Sequence, residues 1–311
     1  MHPLPESDQQ CASAVLMIRP ARFGANPETA ASNRFQQGGA AQDAPIAAQR
    51  EFEGLVLRLS DAGVAVHVAD DSPEPVKPDA CFPNNWVSFH ADGSVVLYPL
   101  MAVSRRAERR EEPIALLQAA GFRITRRIDM THWEGRGEYL EGTGSLVLDR
   151  RRRIAYACWS PRTTPAALGD FATRLGYRVI SFDAEGPGGQ AIYHTNVMMA
   201  IGERFALLCP EAIPDPQQRM TVIQALEQSG HEPIAISIAQ MNGFAGNLLA
   251  LKSGNGEPLI AMSTAAWDCL ASQDHRVLER RGTIVTAPIP TIERHGGGSV
   301  RCMIAEVFLP H

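Results

Sequence analysis

Five glycines at nearly regular spacing constrain the fold of this chain more than any other feature. Each glycine follows a segment with helical character and precedes a β-rich run, and successive glycines lie 52 to 58 residues apart. Glycine is the usual residue just past a helix end, because it takes the left-handed conformation at little cost. The positions are Gly63, Gly121, Gly176, Gly230 and Gly282. The chain therefore repeats one unit five times, which predicts a repeat architecture.

The segments around these glycines define the repeated unit. Helices are expected over residues 44–62, 106–120, 165–175, 215–229 and 264–281. Hairpins, marked by polar or Gly-containing turns between apolar runs, are expected over residues 87–99, 145–159, 197–209 and 248–263. Each unit reads strand–turn–strand–helix–strand. Five such units predict an α/β fold closed into a ring around a central axis.

The beginning of the chain is less regular than the rest. Residues 15–19 predict a strand, and residues 23–39 predict a polar loop rich in Gly and Asn. Residues 1–12 are interpreted as a loose N-terminal arm. The proline-containing stretch 70–77 is interpreted as a connector, so residues 13–311 are expected to form a single catalytic domain.

Composition excludes several classes of protein. The chain has 311 residues and a formal net charge of −5, which argues against nucleic-acid binding. The arginine run at residues 150–153 lies between two apolar runs and predicts a hairpin turn. The first ten residues lack the features of a signal peptide. No apolar run approaches the roughly 18–20 residues of a transmembrane helix, so no membrane partner is expected.

The cysteines and the sequence motifs limit the chemistry further. The six cysteines show no framework spacing, and we expect them to be reduced, in the cytoplasm. No CxxC, HExxH, HxH or GxxxxGK[ST] motif occurs, so no metal and no other cofactor is expected. The expected partner is a small molecule. The sequence leaves the oligomeric state open, including a homo-oligomer.

Residues with chemically active side chains recur at one place in the repeat. They lie 16 to 20 residues after the five glycines, at Asp79, Glu141, His194, Asn247 and Cys302. Equivalent positions of a closed ring meet near its axis. We therefore expect two carboxylates, an imidazole, an amide and a thiol to converge there. His194 is the only one of the nine histidines at this phase.

Cys302 is the candidate nucleophile. It follows the glycines at 296–298 and opens an apolar run, so the thiol would be open to a small ligand. Arg301 and His295 could favour the reactive thiolate. The alternative is a buried core cysteine, which is common in apolar strands. A thiol with an imidazole and a carboxylate forms a nucleophile, a proton carrier and its orienting partner, which favours the catalytic interpretation.

The motifs EGTG, HTN and GGGSVRCM resemble those of the guanidine-modifying penteins. This superfamily comprises arginine deiminases, dimethylarginine dimethylaminohydrolases and amidinotransferases, built as five-fold pseudosymmetric α/β propellers. The segments RPARFGANPETAASNRFQ, FPNNW and LEGTGS are most similar to the citrulline-utilisation hydrolase branch. The resemblance implies that Cys302 is the nucleophile, His194 the general acid/base and Glu141 its carboxylate partner.

The resemblance also implies substrate ligands. Asp79, in PDACF, matches a ligand of the substrate's urea-like head, and Arg162, in SPRT, matches an arginine that binds the amino acid's carboxylate. Arg105, in SRR, matches a second substrate-side arginine, although it is also compatible with a solvated helix start. A planar guanidinium suits this role because it donates two parallel hydrogen bonds to a carboxylate. Asn247 is a further candidate ligand.

Three asparagines depart from the deiminase pattern. Asn84, Asn85 and Asn196 stand where deiminases commonly hold acids. A guanidinium has only donors and a positive charge, whereas a ureido group is neutral and offers both donors and an acceptor. An asparagine amide has both a donor and an acceptor, so it matches the ureido group. The departure therefore favours citrulline over arginine, although the sequence does not decide which asparagine faces the substrate.

The leading hypothesis is a cysteine-dependent hydrolase of a C–N bond that converts citrulline to ornithine, ammonia and carbon dioxide. The first alternative is an arginine deiminase, dimethylarginine dimethylaminohydrolase or amidinotransferase acting on a guanidino substrate. A noncatalytic propeller that binds ligands is the alternative of another class, because one fold hosts unrelated functions. The complete Cys–His–Glu set argues against it.

Overall fold

Five small sheets, each of three strands, form the fold in the computed structural model, which describes residues 9–37 and 43–311. In every sheet an inner strand pairs antiparallel with a middle strand, and the middle strand pairs parallel with an outer strand. The inner strands are Val87–Phe89, Val147–Asp149, Met199–Ile201, Leu249–Lys252 and Ala305–Val307. The middle strands are Ala14–Arg19, Ser94–Leu97, Ile154–Cys158, Phe205–Leu208 and Pro258–Ser263. The outer strands are Ala65–Asp70, Arg126–Asp129, Arg178–Phe182, Glu232–Ala235 and Thr283–Ala287.

The sheets close into the predicted five-fold propeller. Inner strands of neighbouring sheets contact one another: Met199–Ile201 lies against both Val147–Asp149 and Leu249–Lys252, and Ala305–Val307 lies against Val87–Phe89. The last strand of the chain completes the sheet that the first strand begins, with Val307 opposite Ala14. The inner strands therefore surround the axis, and the α/β propeller inferred from the repeat is confirmed.

Helices connect the middle and outer strands. The main ones are Ala44–Asp61, Glu111–Ala119, Pro165–Leu175, Pro216–Gln228 and the pair Thr264–Asp268 and Ser272–Glu279. Shorter helices are Pro27–Ala30, Gly142–Ser145, Ile238–Asn242 and Pro290–Gly296. Short 3₁₀ segments are Pro83–Asn85, Val103–Glu108, Thr131–Arg136, Thr195–Val197, Pro210–Ala212 and Val300–Met303. Buried apolar side chains of the helices pack on the sheets, as Phe52, Leu55 and Leu59 do in the core with Val15 and Met17.

Three local expectations needed correction. The helix expected over residues 106–120 is a 3₁₀ segment, Val103–Glu108, followed by the helix Glu111–Ala119. The helix expected over residues 264–281 is instead two helices, Thr264–Asp268 and Ser272–Glu279, and the Asp274 side chain accepts a hydrogen bond from the Ala271 backbone N–H at the start of the second. The polar loop expected from residue 23 contains the helix Pro27–Ala30, capped by the Asn26 side chain; residues 38 and 39 of that loop lie outside the described residues.

Four of the five repeat glycines have the expected backbone. The φ angles of Gly63, Gly121, Gly176 and Gly230 lie between 69° and 98°, in the left-handed region. Gly282 is different. It allows close packing instead, since a Cβ atom there would lie 2.9 Å from the Pro258 carbonyl oxygen.

The interpreted N-terminal arm lies mostly outside the described residues, which begin at Gln9. Gln10, Cys11 and Ala12 are buried. The Gln10 side chain donates to the Leu148 carbonyl oxygen at 2.9 Å and accepts from the Arg150 backbone N–H at 2.9 Å. These three residues are thus packed into the ring. Within the described part of the chain, no helix combines the length and apolarity needed to cross a membrane.

Candidate active site

The site lies on the axis, where turns of the repeats meet. Short turns precede the inner strands, and those at Pro83–Asn85, Gly142–Ser145, Thr195–Val197 and Val300–Met303 pack against one another. They bring the predicted residues Glu141, His194 and Cys302 together in the buried centre of the ring. The equivalent positions of the closed repeat therefore converge, as a ring requires.

Cys302 lies in the last of these turns with its thiol next to two amide side chains. The Nδ2 atoms of Asn196 and Asn247 lie 3.5 Å and 3.4 Å from its sulfur. N–H donors directed at a sulfur stabilise negative charge on it. The cations suggested by the sequence are not there: the Arg301 guanidinium hydrogen-bonds to Glu306 and to the Ile304 carbonyl oxygen, and His295 does not line the pocket.

His194 and Glu141 form a buried pair. Nε2 of His194 lies 2.8 Å from Oε2 of Glu141. Because a carboxylate only accepts, Nε2 carries the proton and Nδ1 is left as the acceptor of the neutral ring. Gly144 makes room for that ring, since a Cβ atom there would lie 2.7 Å from Nδ1.

Burial and charge set the protonation states of this pair. Burial lowers the pKa of His194 to about 4, although Glu141 opposes the shift. Burial alone would raise the pKa of Glu141, but Arg162, the hydrogen bond from His194 and Arg105 hold it below its usual range. At neutral pH the imidazole is uncharged and the carboxylate is ionised. His194 can thus take a proton before it gives one.

Arg105 sits in a ring of acceptors. It donates to both carboxylate oxygens of Glu108, at 2.9 Å and 2.8 Å, and to Oδ1 of Asn85 at 2.6 Å. Asp79 lies 3.7 Å from its Nε atom. Burial would lower the pKa of Arg105, but the carboxylates, Glu108 foremost, raise it above its usual value. Burial raises the pKa of Glu108 to about 7, against the effect of Arg105. The pair fixes the Asn85 amide in the pocket wall.

Arg162 links the central carboxylate to the first repeat. Its Nη1 lies 3.3 Å from Oε2 of Glu141, and its Nη2 donates to the Thr29 carbonyl oxygen at 2.9 Å. Both Nε and Nη2 donate to the Ser32 hydroxyl. The guanidinium also stacks on Tyr193, 5.0 Å from the ring centroid. Arg162 therefore holds the loop of the first repeat over the site.

A small pocket of about 270 Å³ opens beside the thiol. Six predicted site residues line it, namely Asp79, Asn85, Arg105, Arg162, His194 and Cys302. The other predicted residues, Glu141, Asn84, Asn196 and Asn247, are buried behind this wall. Asn84 accepts a hydrogen bond from Asn85, and its own Nδ2 has no partner among the described residues. Nor do the described residues include a cluster of three or more His, Cys, Asp or Glu suited to a metal ion.

Half of the residues that line the pocket were not among the predicted catalytic and substrate-binding residues. The additional lining residues are Thr29, Asn33, Phe82, Tyr193, Gly296 and Gly298. Thr29 and Asn33 come from the segment that the sequence left as a polar loop, and its density of Asn and Thr was the available signal. The buried partner Glu108 was also missed, although its position three residues after Arg105 suits an ion pair on one turn.

A family model described as N,N dimethylarginine dimethylhydrolase, eukaryotic, matches residues 19–309. Three solved structures have a similar fold. Apo ArgZ, an arginine dihydrolase from the ornithine-ammonia cycle in cyanobacteria, is 19% identical with a TM-score of 0.72, covering 96% of this chain and 41% of its own. Unliganded AgrE is 18% identical with a TM-score of 0.74, covering 94% of this chain and 39% of its own. A histidine-to-glycine variant of dimethylarginine dimethylaminohydrolase, as an adduct with S-methyl-L-thiocitrulline, is 13% identical with a TM-score of 0.63, covering 94% of this chain and 99% of its own.

This chain thus spans about two fifths of ArgZ and AgrE. A comparison with curated proteins finds no match. The five-sheet propeller, with Cys302, His194 and Glu141 at its centre, places the chain in the guanidine-modifying pentein superfamily. Within that class, the chain belongs to the N,N dimethylarginine dimethylhydrolase family, whose model covers nearly all of it.

Proposed function

We propose that this protein hydrolyses a C–N bond of a ureido or guanidino amino acid, with citrulline as the preferred substrate and ornithine, ammonia and carbon dioxide as products. One observation carries the proposal. Cys302 and His194 line the same small buried pocket, and His194 is bonded to the ionised Glu141. A nucleophile and a proton carrier on one cavity can act on one bound molecule.

In the proposed mechanism His194 carries each proton. Nδ1 of neutral His194 takes the thiol proton, and the sulfur of Cys302 attacks the ureido carbon. The C–N bond to ornithine breaks as the imidazolium returns its proton to the departing amine, which leaves a carbamoyl group on sulfur. Water then hydrolyses this thiocarbamate and restores the thiol. The released carbamic acid decomposes to ammonia and carbon dioxide, so each citrulline consumes one water.

The amide side chains support a neutral substrate head. Asn196 lies beside the reacting sulfur, and its buried Oδ1 atom has no partner among the described residues. Asn85 lies in the pocket wall with its Oδ1 atom held by Arg105. Amides at both positions place no negative charge there to pair with a guanidinium.

A guanidino substrate is the second candidate. Asp79 lines the pocket; it accepts hydrogen bonds from Asn26 and Thr29, and Nε of Arg105 lies 3.7 Å from it. The description of the family names dimethylarginine as the substrate, and ArgZ is described as an arginine dihydrolase. Under this second candidate, Asp79 pairs with the guanidinium of the substrate, which is arginine or a methylated arginine.

The substrate's carboxylate needs a cation, and two arginines line the pocket. We propose Arg162 for this role. Its longest hydrogen bond, 3.3 Å to Glu141, is made by Nη1. Of the guanidinium nitrogens, Nη1 is therefore the one most weakly held by the protein and most available to a substrate carboxylate. Arg105 is held by two hydrogen bonds to Glu108 and is the second choice. The six free cysteines suit the reducing cytoplasm as the proposed location.

The deciding experiment compares citrulline, arginine and dimethylarginine as substrates, with ornithine, citrulline and ammonia quantified. We expect the highest kcat/KM for citrulline, ornithine as its product, and no turnover by a folded Cys302→Ser variant. A thiol-directed substrate analogue should label Cys302 and leave the buried Cys81 and Cys158 unmodified. Faster turnover of arginine than of citrulline at pH 7 would replace the first candidate by the second. Labelling elsewhere with Cys302 untouched would overturn the nucleophile.

A further inference from the structure

A second cavity lies on the axis, beyond the ring of turns that carries the active site. It is lined mainly by the inner strands, whereas the substrate pocket is lined by the segments before them. No residue lines both cavities. Its polar lining residues are Gln10, Thr143, Arg150, Arg301 and Glu306. The proposed reaction uses none of them.

The charges in this cavity do not balance. Arg150 is 4% exposed and Arg301 is 8% exposed, and both approach the same carboxylate, Glu306. Arg301 takes the closer position, with Nη2 at 2.9 Å, while Arg150 remains 3.5 Å away. Two guanidinium groups thus share one carboxylate.

Arg150 is the less satisfied of the two arginines. Its guanidinium stacks on Phe308, 4.0 Å from the ring centroid, and its side chain makes no hydrogen bond to a described residue. A buried guanidinium with unused N–H groups is costly unless an anion meets it. The planar forks of two arginines are suited to an oxyanion, which accepts several hydrogen bonds at once.

We propose that this cavity binds a small tetrahedral oxyanion, such as inorganic phosphate, between the guanidinium groups of Arg150 and Arg301. The anion supplies the negative charge that Glu306 alone does not. The site is separate from the substrate pocket and does not depend on the identity of the substrate.

The test measures thermal unfolding of the wild-type protein in phosphate and in sulfate, against chloride at equal ionic strength. A ligand that binds only the folded state raises the midpoint with concentration by mass action. We expect such a rise for both oxyanions beyond that in chloride. Calorimetric titration with phosphate should then give one site per chain. A wild-type midpoint that follows ionic strength alone would overturn the proposal.

Variants locate the site. Arg150→Gln removes one guanidinium and should weaken phosphate binding roughly 10- to 100-fold, the loss of one charge-assisted contact. Arg151→Gln is the matched control, because Arg151 is the exposed next residue in the same turn and should leave binding unchanged. Full phosphate binding in Arg150→Gln would overturn the proposal.

Glu306→Gln gives a test of opposite sign that does not require Arg150→Gln to fold. It removes the carboxylate that competes for both arginines. We expect tighter phosphate binding in this variant, because two cations then face the anion without an internal partner. Weaker binding in Glu306→Gln would contradict the charge argument.

Discussion

Replacing His194 by glutamine should make the stability of the protein less sensitive to acid. His194 is 2% exposed, and burial lowers the pKa of its imidazole from 6.5 to about 4. Between these values the unfolded chain binds a proton that the folded protein does not bind. Stability therefore rises with pH across this interval. The contribution is complete above pH 6.5 and is lost as the pH falls toward 4.

The size of the effect follows from the shift. A difference of about 2.5 pKa units corresponds to an order of 3 kcal/mol in the free energy of unfolding. Most of it should be lost by about pH 4.5. Glutamine has no titrating group, and its side-chain N–H can still donate to Oε2 of Glu141. The variant should therefore lack this part of the acid sensitivity while keeping the partner of the buried carboxylate.

The assay is urea unfolding at several pH values between 7.5 and 4.5, with the free energy extrapolated to water at each pH. The free energy of unfolding of the wild type minus that of His194→Gln should decrease as the pH falls, because only the wild type loses the His194 contribution. Groups common to both proteins cancel in the difference, provided that they are distant from the mutation. Curves that stay parallel over the whole range would refute the assignment of a neutral, buried His194.

His90 provides a matched control. It is also buried, its Nε2 atom lies 2.8 Å from the Ser88 hydroxyl, and burial lowers its pKa to about 3. His90→Gln should reduce the acid sensitivity in the same direction but leave kcat unchanged, since His90 does not line the pocket. His194→Gln should lower kcat by roughly 10²–10⁴, the usual contribution of a general acid/base. Equal kcat values for His194→Gln and His90→Gln would show that His194 does not take part in proton transfer.

Three further substitutions test the pocket. Arg162→Lys keeps the charge but loses the fork that bonds Ser32 and Thr29, so KM for the amino acid should rise roughly tenfold; an unchanged KM would move the anchor elsewhere. Asn196→Asp should shift the ratio of kcat/KM values from citrulline toward arginine, and an unshifted ratio would remove the amide argument. Gly144→Ala should lower kcat with little loss of secondary structure by circular dichroism, because its Cβ atom would lie 2.7 Å from the His194 ring. A normal kcat would show that the ring can move without loss.

The repeat made most of the fold predictable. Gly63, Gly121, Gly176 and Gly230 mark helix ends by a local rule, since a left-handed φ angle favours glycine whatever surrounds it. Spacing then indicated a ring, and the ring indicated which positions converge. The break in the last long helix was not predictable in this way. The break covers residues 269–271 and has no counterpart in the repeat pattern.

The candidate site, like the fold, has one part that could be predicted from the repeat and another part that could not. Glu141, His194 and Cys302 occupy equivalent repeat positions, so their meeting could be predicted from sequence. Their surroundings could not. Arg301 follows the glycines and directly precedes the thiol in sequence, yet its guanidinium bonds Glu306 on the other side of the turns. Neighbours along a turn can point into different cavities, and sequence distance carries no information on which one.

Glycines in the central turns explain how four polar segments can meet on one axis. A Cβ atom on Gly142 would lie 2.2 Å from the Asn84 carbonyl oxygen, and one on Gly246 would lie 2.2 Å from the Val197 carbonyl oxygen. Both contacts involve backbone, which cannot swing aside as a side chain can. Gly142, the first glycine of EGTG, is therefore required because the backbone of the neighbouring turn lies against it. This requirement is separate from the backbone freedom that the glycine gives its own turn. Because the turns at Asn84 and Val197 also carry amides of the site, close packing of the ring and placement of the amides beside the thiol are one structural requirement.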